Sequence, residues 1–145
     1  LSVHDRFRFT LTLFLPHTFQ ATFVAVQETF VARDILFLLK SEFADGEGAP
    51  YYCPDCAQIT GVLGYFPKLR YELDIRYVDF ARPRKEIIAI LSEQHQGCPV
   101  LILDQAPSMD ALAYITGHAN GKSFIAGAKA IGNYWSYRYD VSRPH

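Results

Sequence analysis

Cysteine is scarce in this chain, with three residues in 145, and methionine and tryptophan occur once each. So few cysteines exclude a small secreted scaffold stapled by several disulfides, and the odd number leaves at least one thiol without a partner within the chain. A reducing compartment, the cytoplasm, is therefore expected. No apolar run reaches eighteen residues, because Pro, His, Gln, Glu, Arg or Lys breaks every candidate, so no helix is built to cross a bilayer. Excess charge is missing as well. Fourteen Lys plus Arg against fifteen Asp plus Glu leave a formal charge of −1, which carries neither the basic footprint of a nucleic-acid binder nor a long acidic tail. Internal repeats and low-complexity tracts are also absent. Half of the residues are apolar, which suits one domain able to bury roughly 68 to 70% of its unfolded surface.

The first thirty residues differ from the rest. They hold six of the eleven phenylalanines, none of the nine tyrosines and only four charged side chains, Asp5, Arg6, Arg8 and Glu28. Apolar residues alternate between Phe7 and Leu15 with the period of a strand, and Pro16 ends the pattern. Arg6 and Arg8 before an apolar stretch resemble the flank of a signal peptide, but no small-x-small cleavage site follows and Gln20 interrupts the run. Residues 1–30 are accordingly read as a poorly ordered leader and residues 31–145 as the domain. Secretion or a periplasmic location follows only if the leader acts as a signal.

From Asp34 onward strands and helices alternate. Asp34 to Lys40, DILFLLK, is the nearly continuous apolar run of a strand buried on both faces. After a polar, Gly-rich loop, Ile59, Val62, Leu63 and Phe66 recur at helical spacing and Pro67 stops them. Leu73, Ile75 and Tyr77 alternate with Asp74 and Arg76 in a second strand; Ile87, Ile88 and Leu91 mark a helix over 84–95. Val100 to Leu103 forms a third strand and Ser123 to Ala126 a fourth, after the turn signal Asn120, Gly121. One short helix is expected in the stretch between Asp104 and Gly121. The last helix turns Ile131, Tyr134, Trp135 and Arg138 inward and leaves Tyr137 partly exposed. The fold class is α/β, with a central four-stranded mixed sheet and helices on both faces.

Chemistry concentrates at Tyr52, Cys53, Pro54, Asp55 and Cys56. A C-x-x-C between a buried strand and a helix puts the first sulfur at the helix N-terminus, where free N–H groups and the positive dipole end favour a thiolate. That makes Cys53 the nucleophile, with Cys56 one turn behind it to resolve a mixed disulfide. Pro54 fits the first helical position, where a missing N–H costs nothing. Asp55 adds an opposing negative charge of comparable weight. Cys98 and Pro99 lead into the third strand, and a cis bond between them would hold a loop beside the thiols. His95 and Cys98 could instead join the pair as a Cys₃His zinc set. A second C-x-x-C, the stronger zinc signature, is missing. Arg82, Arg84 and Lys85, flanked by Asp79 and Glu86, read as a solvated surface, the alternative being a receptor for an anionic substrate.

On these residues the chain resembles the thioredoxin fold. The order strand, CPDC helix, strand, helix, Pro-led strand, strand, helix covers residues 34 to about 140. Tyr52 to Cys56 is similar to the aromatic-C-x-x-C of thioredoxins, with Pro54 placed as in the C-P-Y-C of glutaredoxins, and Cys98, Pro99, Val100 resembles the cis-proline motif. The ending around Ala130, Ile131, Tyr134, Trp135, Arg138 and Tyr139 resembles the thioredoxin-like half of glutathione transferases. More closely, RDILFLLK, YYCPDCA, RPRKEII and CPVLIL are similar to a bacterial thioredoxin-like family of unknown function. The resemblance implies a thioredoxin-like sandwich and a thiol–disulfide oxidoreductase with Cys53 and Cys56 catalytic. Tyr52, Pro54, Cys98 and Pro99 would contact a protein or small-molecule disulfide or thiol, and glutathione is a possible co-substrate. Gly127 and Ala128 stand where glutathione transferases carry an acidic residue and a serine, leaving only backbone N–H groups for a carboxylate. Zinc binding through Cys53, Cys56, Cys98 and His95, or a non-catalytic interaction module, are the alternatives.

Overall fold

The computed structural model describes residues 32–145. The expectations for a leader, its alternating strand and a signal segment fall on residues 1–30 and lie outside the described residues.

Strand β1, Asp34–Leu39, is the apolar run read from the sequence, and its last four residues are buried. Such a strand needs neighbours on both edges and cover on both faces, and it has them. It pairs in parallel with β2, Leu73–Val78, and antiparallel with β3, Val100–Ile102. Beyond β3 lie β5, Lys122–Ala126, and an edge strand β4, Gly117–Ala119, giving the order β2-β1-β3-β5-β4. The sheet therefore has five strands where the sequence pattern suggested four. The added strand arises from a two-residue hairpin at Asn120 and Gly121, both with positive φ, the backbone twist that favours tight antiparallel pairing. Gly117 has a packing reason too: a Cβ there would sit 2.3 Å from the Phe124 ring.

Helix α1, Pro54–Tyr65, buries Cys56, Ile59 and Leu63. A single short turn of helix, α2 (Leu69–Glu72), leads into β2. Helix α3, Lys85–Ile90, is half the length that its periodicity predicts. It stops because Gln96 Nε2 donates to the Glu93 carbonyl at 2.7 Å and His95 N to the Ser92 carbonyl, closing local turns that compete with further helix. A 3₁₀ helix spans Met109–Tyr114, in the stretch where one short helix is expected. Helix α4, Ala128–Tyr139, buries Ile131, Tyr134 and Trp135, but Arg138 is exposed rather than inward. Asp140 already ends the helix in the left-handed conformation, and the Arg138 guanidinium lies 5.2 Å from the Tyr139 ring centroid.

Register sets which ends meet. Leu39 pairs with Val78, Phe37 with Val100 and Val100 with Ala126, so β1, β2 and β5 all finish at the end of the sheet where β3 begins. Gly127 N donates to the Pro99 carbonyl at 3.0 Å, which starts α4 there. Leu39 N donates to Cys56 Sγ at 3.4 Å, which starts α1 at the same end. Two twelve-residue helices thus direct their N-termini to one rim of the sheet.

At the opposite end Asp34 Oδ1 accepts the Asp104 N–H at 2.9 Å. Burial nevertheless holds the Asp34 carboxyl above its ordinary value, with Asp104 adding to the rise and that hydrogen bond, Arg138 and Lys122 opposing it. A carboxyl raised in the folded state contributes stability below its ordinary pKa and loses it as pH climbs through the raised value. Asp34→Asn keeps an acceptor and removes the buried charge. It should raise the melting temperature at pH 7 by the equivalent of about 1 kcal/mol or less, and leave it unchanged near pH ~3 where the wild-type group is protonated. Thermal melts at the two pH values check this; a loss of stability at pH 7 would mean that the hydrogen bond from Asp104 and the attraction of Arg138 and Lys122 outweigh burial.

Candidate functional site

Cys53 caps α1 from outside. Its backbone is extended (φ −84°, ψ 115°), its Sγ accepts the Cys56 N–H at 3.3 Å, and Pro54 occupies the first turn. A cap of this kind satisfies one of the orphan donors of the helix with sulfur, in place of the usual Ser or Asp oxygen. The Cys53 thiol is partly exposed. Cys56 is buried, only 5% exposed, with its Sγ held by the amide of Leu39. Burial pushes the Cys56 thiol up, the Leu39 hydrogen bond opposes this, and the neighbouring Cys53 adds to it. The two sulfurs of one motif therefore sit in different environments. All three cysteines are unbridged.

A cleft of about 840 Å³ opens over the pair. Tyr52, Cys53 and Cys56 line it together with Lys40, Thr60 and Tyr77. Tyr52 is 65% exposed and Tyr77 48%, so two aromatic side chains flank an open approach to the sulfurs. Lys40 pairs with Asp79 at 2.7 Å, and both side chains are solvated.

Cys98 and Pro99 do not line this cleft among the described residues. The Cys98–Pro99 bond is cis, as is Arg82–Pro83, and Pro99 is buried. Burial pushes the Cys98 thiol up to about 11; Arg84 pulls it down, Cys53 pushes it further up and Arg82 pulls it down. Pro54, the first residue of α1, is exposed. His95 packs its ring on Phe124, centroid to centroid 4.8 Å. Among the described residues no group of three or more His, Cys, Asp or Glu side chains is placed to hold a metal ion, so Cys53, Cys56, Cys98 and His95 are not assembled as a zinc set. No helix among the described residues is long and apolar enough to cross a membrane.

Sequence reasoning missed Arg84. The sequence groups it with Arg82 and Lys85 as solvated surface, yet it is 7% exposed and each of its three guanidinium nitrogens donates a hydrogen bond to a backbone carbonyl. Nothing in RPRKE separates the middle arginine from its neighbours, because its acceptors are backbone carbonyls twelve residues away or in the preceding loop. Lys40 and Tyr77 also escaped notice, since each comes to the cleft from the end of a strand.

Among the described residues, fold and site together define a mixed α/β protein with one five-stranded sheet and a C-x-x-C at the start of a helix on its rim. Residues 33–143 match the model of a family described as "Protein of unknown function (DUF3088)", and the chain belongs to that family. Comparisons with curated proteins and with solved structures return no match.

Proposed function

We propose that the chain is a thiol–disulfide oxidoreductase of thioredoxin or glutaredoxin type, built as a thioredoxin-like sandwich and working in the reducing cytoplasm. The asymmetry of the two thiols carries this reading. Cys53 is partly exposed at the start of a twelve-residue helix, whereas Cys56 is buried one turn inside it and held protonated by its surroundings. An attacking sulfur needs access and an anion-stabilising environment; a resolving sulfur needs only to reach the first one. The connectivity of a parallel β1, β2 pair followed by the antiparallel β3, β5 pair, with α1 and α4 starting at the same rim, supports the fold.

In the forward direction the Cys53 thiolate attacks one sulfur of a substrate disulfide, the S–S bond breaks, and the other sulfur leaves as a thiolate that takes a proton. Cys56 then gives up its proton and attacks Cys53 Sγ. That step releases the second substrate sulfur as a thiol and leaves a Cys53–Cys56 disulfide. Two electrons pass from the protein to the substrate. A thiol reductant, glutathione being one candidate, returns the pair to the dithiol by the reverse sequence. Tyr52 and Pro54 lie beside the attacking sulfur and would contact the substrate, as would the loop of Cys98 and Pro99.

Mild oxidation followed by peptide mapping tests the assignment. The expected product is a bridge joining Cys53 to Cys56, with Cys98 recovered as the single free thiol. A dominant bridge between Cys98 and either other cysteine overturns the assigned roles.

A further inference from the structure

A second groove opens beside the cleft over the cysteine pair, and Lys40 and Tyr77 line both. The backbone fixes the path between them. Leu39 N donates to Cys56 Sγ at 3.4 Å, and the next amide, Lys40 N, donates to the Val78 carbonyl at 3.0 Å. From the sulfurs the approach thus crosses the end of β1 to the end of β2, and beyond Val78 it follows the loop of Asp79 and Arg82 to the first turn of α3.

The groove differs in charge from the cleft and from the chain. The cleft carries one cation and one acid, Lys40 and Glu42. The groove carries Lys40, Arg82, Arg84 and Lys85 against Asp79 and Glu86, on a chain whose formal charge is −1. Asp79 is taken by Lys40 at 2.7 Å, and the Arg84 guanidinium is buried on backbone carbonyls. Arg82 and Lys85 are exposed and make no ion pair among the described residues, and Glu86 alone is left to oppose them in the groove. Positive charge is therefore left over for a ligand, in a concave site that focuses its field.

We propose that the dithiol acts on a disulfide within an acidic peptide segment: the half-cystine meets Cys53, the chain passes Tyr52 and Tyr77, and carboxylates three or four residues away meet Arg82 and Lys85. The proposal rests on the redox reading and names the substrate class of that site. Size favours a chain over a small molecule. The cleft is about 840 Å³ and the groove adds about 350 Å³, whereas a small-molecule site runs to roughly 300–1,000 Å³. Three to four residues of extended chain cover about 10–13 Å, enough to cross β1 and β2, which lie about 4.8 Å apart.

The experiment uses the full chain with Cys56→Ser and Cys98→Ser, so that Cys53 is the only thiol. Two peptides carry a central cysteine as its 2-thiopyridyl disulfide; one has glutamate at the third and fourth positions on either side, the other glutamine. The Cys53 thiolate attacks the peptide sulfur, the S–S bond breaks, and pyridine-2-thione leaves and is read by its absorbance. The glutamate peptide should react about tenfold faster at ~20 mM salt, and the preference should vanish at ~1 M, where the screening length is about 3 Å. Arg82→Gln with Lys85→Gln should bring the ratio of the two rates close to one. Lys68→Gln with Arg70→Gln removes the same net charge outside the groove and should keep the ratio. Equal rates in the parent chain, or a preference that survives loss of Arg82 and Lys85, overturns the proposal. A chain that releases no thione with either peptide defeats the redox reading instead. The groove is then judged by the fluorescence anisotropy of labelled peptides with serine for cysteine: tighter binding of the glutamate peptide, lost with Arg82 and Lys85, upholds it, and equal binding of the two peptides overturns it.

Discussion

Cys53→Ser should abolish adduct formation with a model disulfide, while Cys56→Ser should accumulate one stable mixed disulfide per chain. The argument rests on position. Cys53 Sγ occupies the cap of α1, where it accepts the Cys56 N–H and faces the cleft lined by Tyr52 and Tyr77. Free N–H groups and the dipole of a twelve-residue helix favour an anion at that point and nowhere further along. Cys56 is only 5% exposed, and burial outweighs the support that the Leu39 amide gives its anion, so it does not begin the reaction, yet it sits one turn away from the sulfur that does. Serine at 53 removes the nucleophile. Serine at 56 removes only the step that releases product, and the adduct is trapped. Mass spectrometry of each variant after exposure to the disulfide reads both outcomes, and equal trapping in the two would defeat the helix-start argument.

The largest loss of stability should come from Trp135→Ala. Trp135 is the largest fully buried side chain, on the inner face of α4, which packs against α1. Truncating a buried tryptophan costs about 3–5 kcal/mol, against a typical total of about 5–15 kcal/mol, so the variant should be close to unfolding at physiological temperature. Trp135→Phe should be much milder than its lost volume suggests. The indole Nε1–H is buried with no hydrogen-bond partner among the described residues, and an unpaired donor costs about 1–3 kcal/mol that phenylalanine does not incur. Urea unfolding of the three proteins checks the order. An alanine variant within about 1 kcal/mol of wild type would show that the α4 interface carries little of the core.

Much of this was legible in the residues themselves. DILFLL identifies an interior strand because only a strand covered on both faces tolerates an unbroken apolar run, and β1 lies between β2 and β3. Ile59 and Leu63 identify the buried face of α1 by spacing alone. The failures have physical causes. Gly117, His118 and Ala119 have neither β-branched side chains nor alternation; β4 exists because a two-residue turn folds it onto β5. The pattern of Ile87 and Leu91 carries no information about side chains that end a helix, and Gln96 does so from outside the pattern. Arg138 shares the face of Trp135 by spacing, but it is exposed in the last turn of the helix, with its guanidinium on the Tyr139 ring. For the site, the C-x-x-C marked where to look. The separate roles of its two sulfurs follow from the helix start, but the burial of Cys56 and its bond from a strand amide seventeen residues earlier in the chain could not be read.

That amide has a further consequence. Leu39, the last residue of β1, gives its N–H to Cys56 Sγ, a bond to sulfur rather than to oxygen. A thiol and a disulfide sulfur are unequal acceptors, and a sulfur that rotates to form a bridge alters the contact again. Chemistry at the cysteine pair is thereby transcribed into the solvent exchange of one backbone proton in β1. The amide of Leu39 is an internal gauge of the state of the pair, readable by hydrogen exchange without labelling any cysteine.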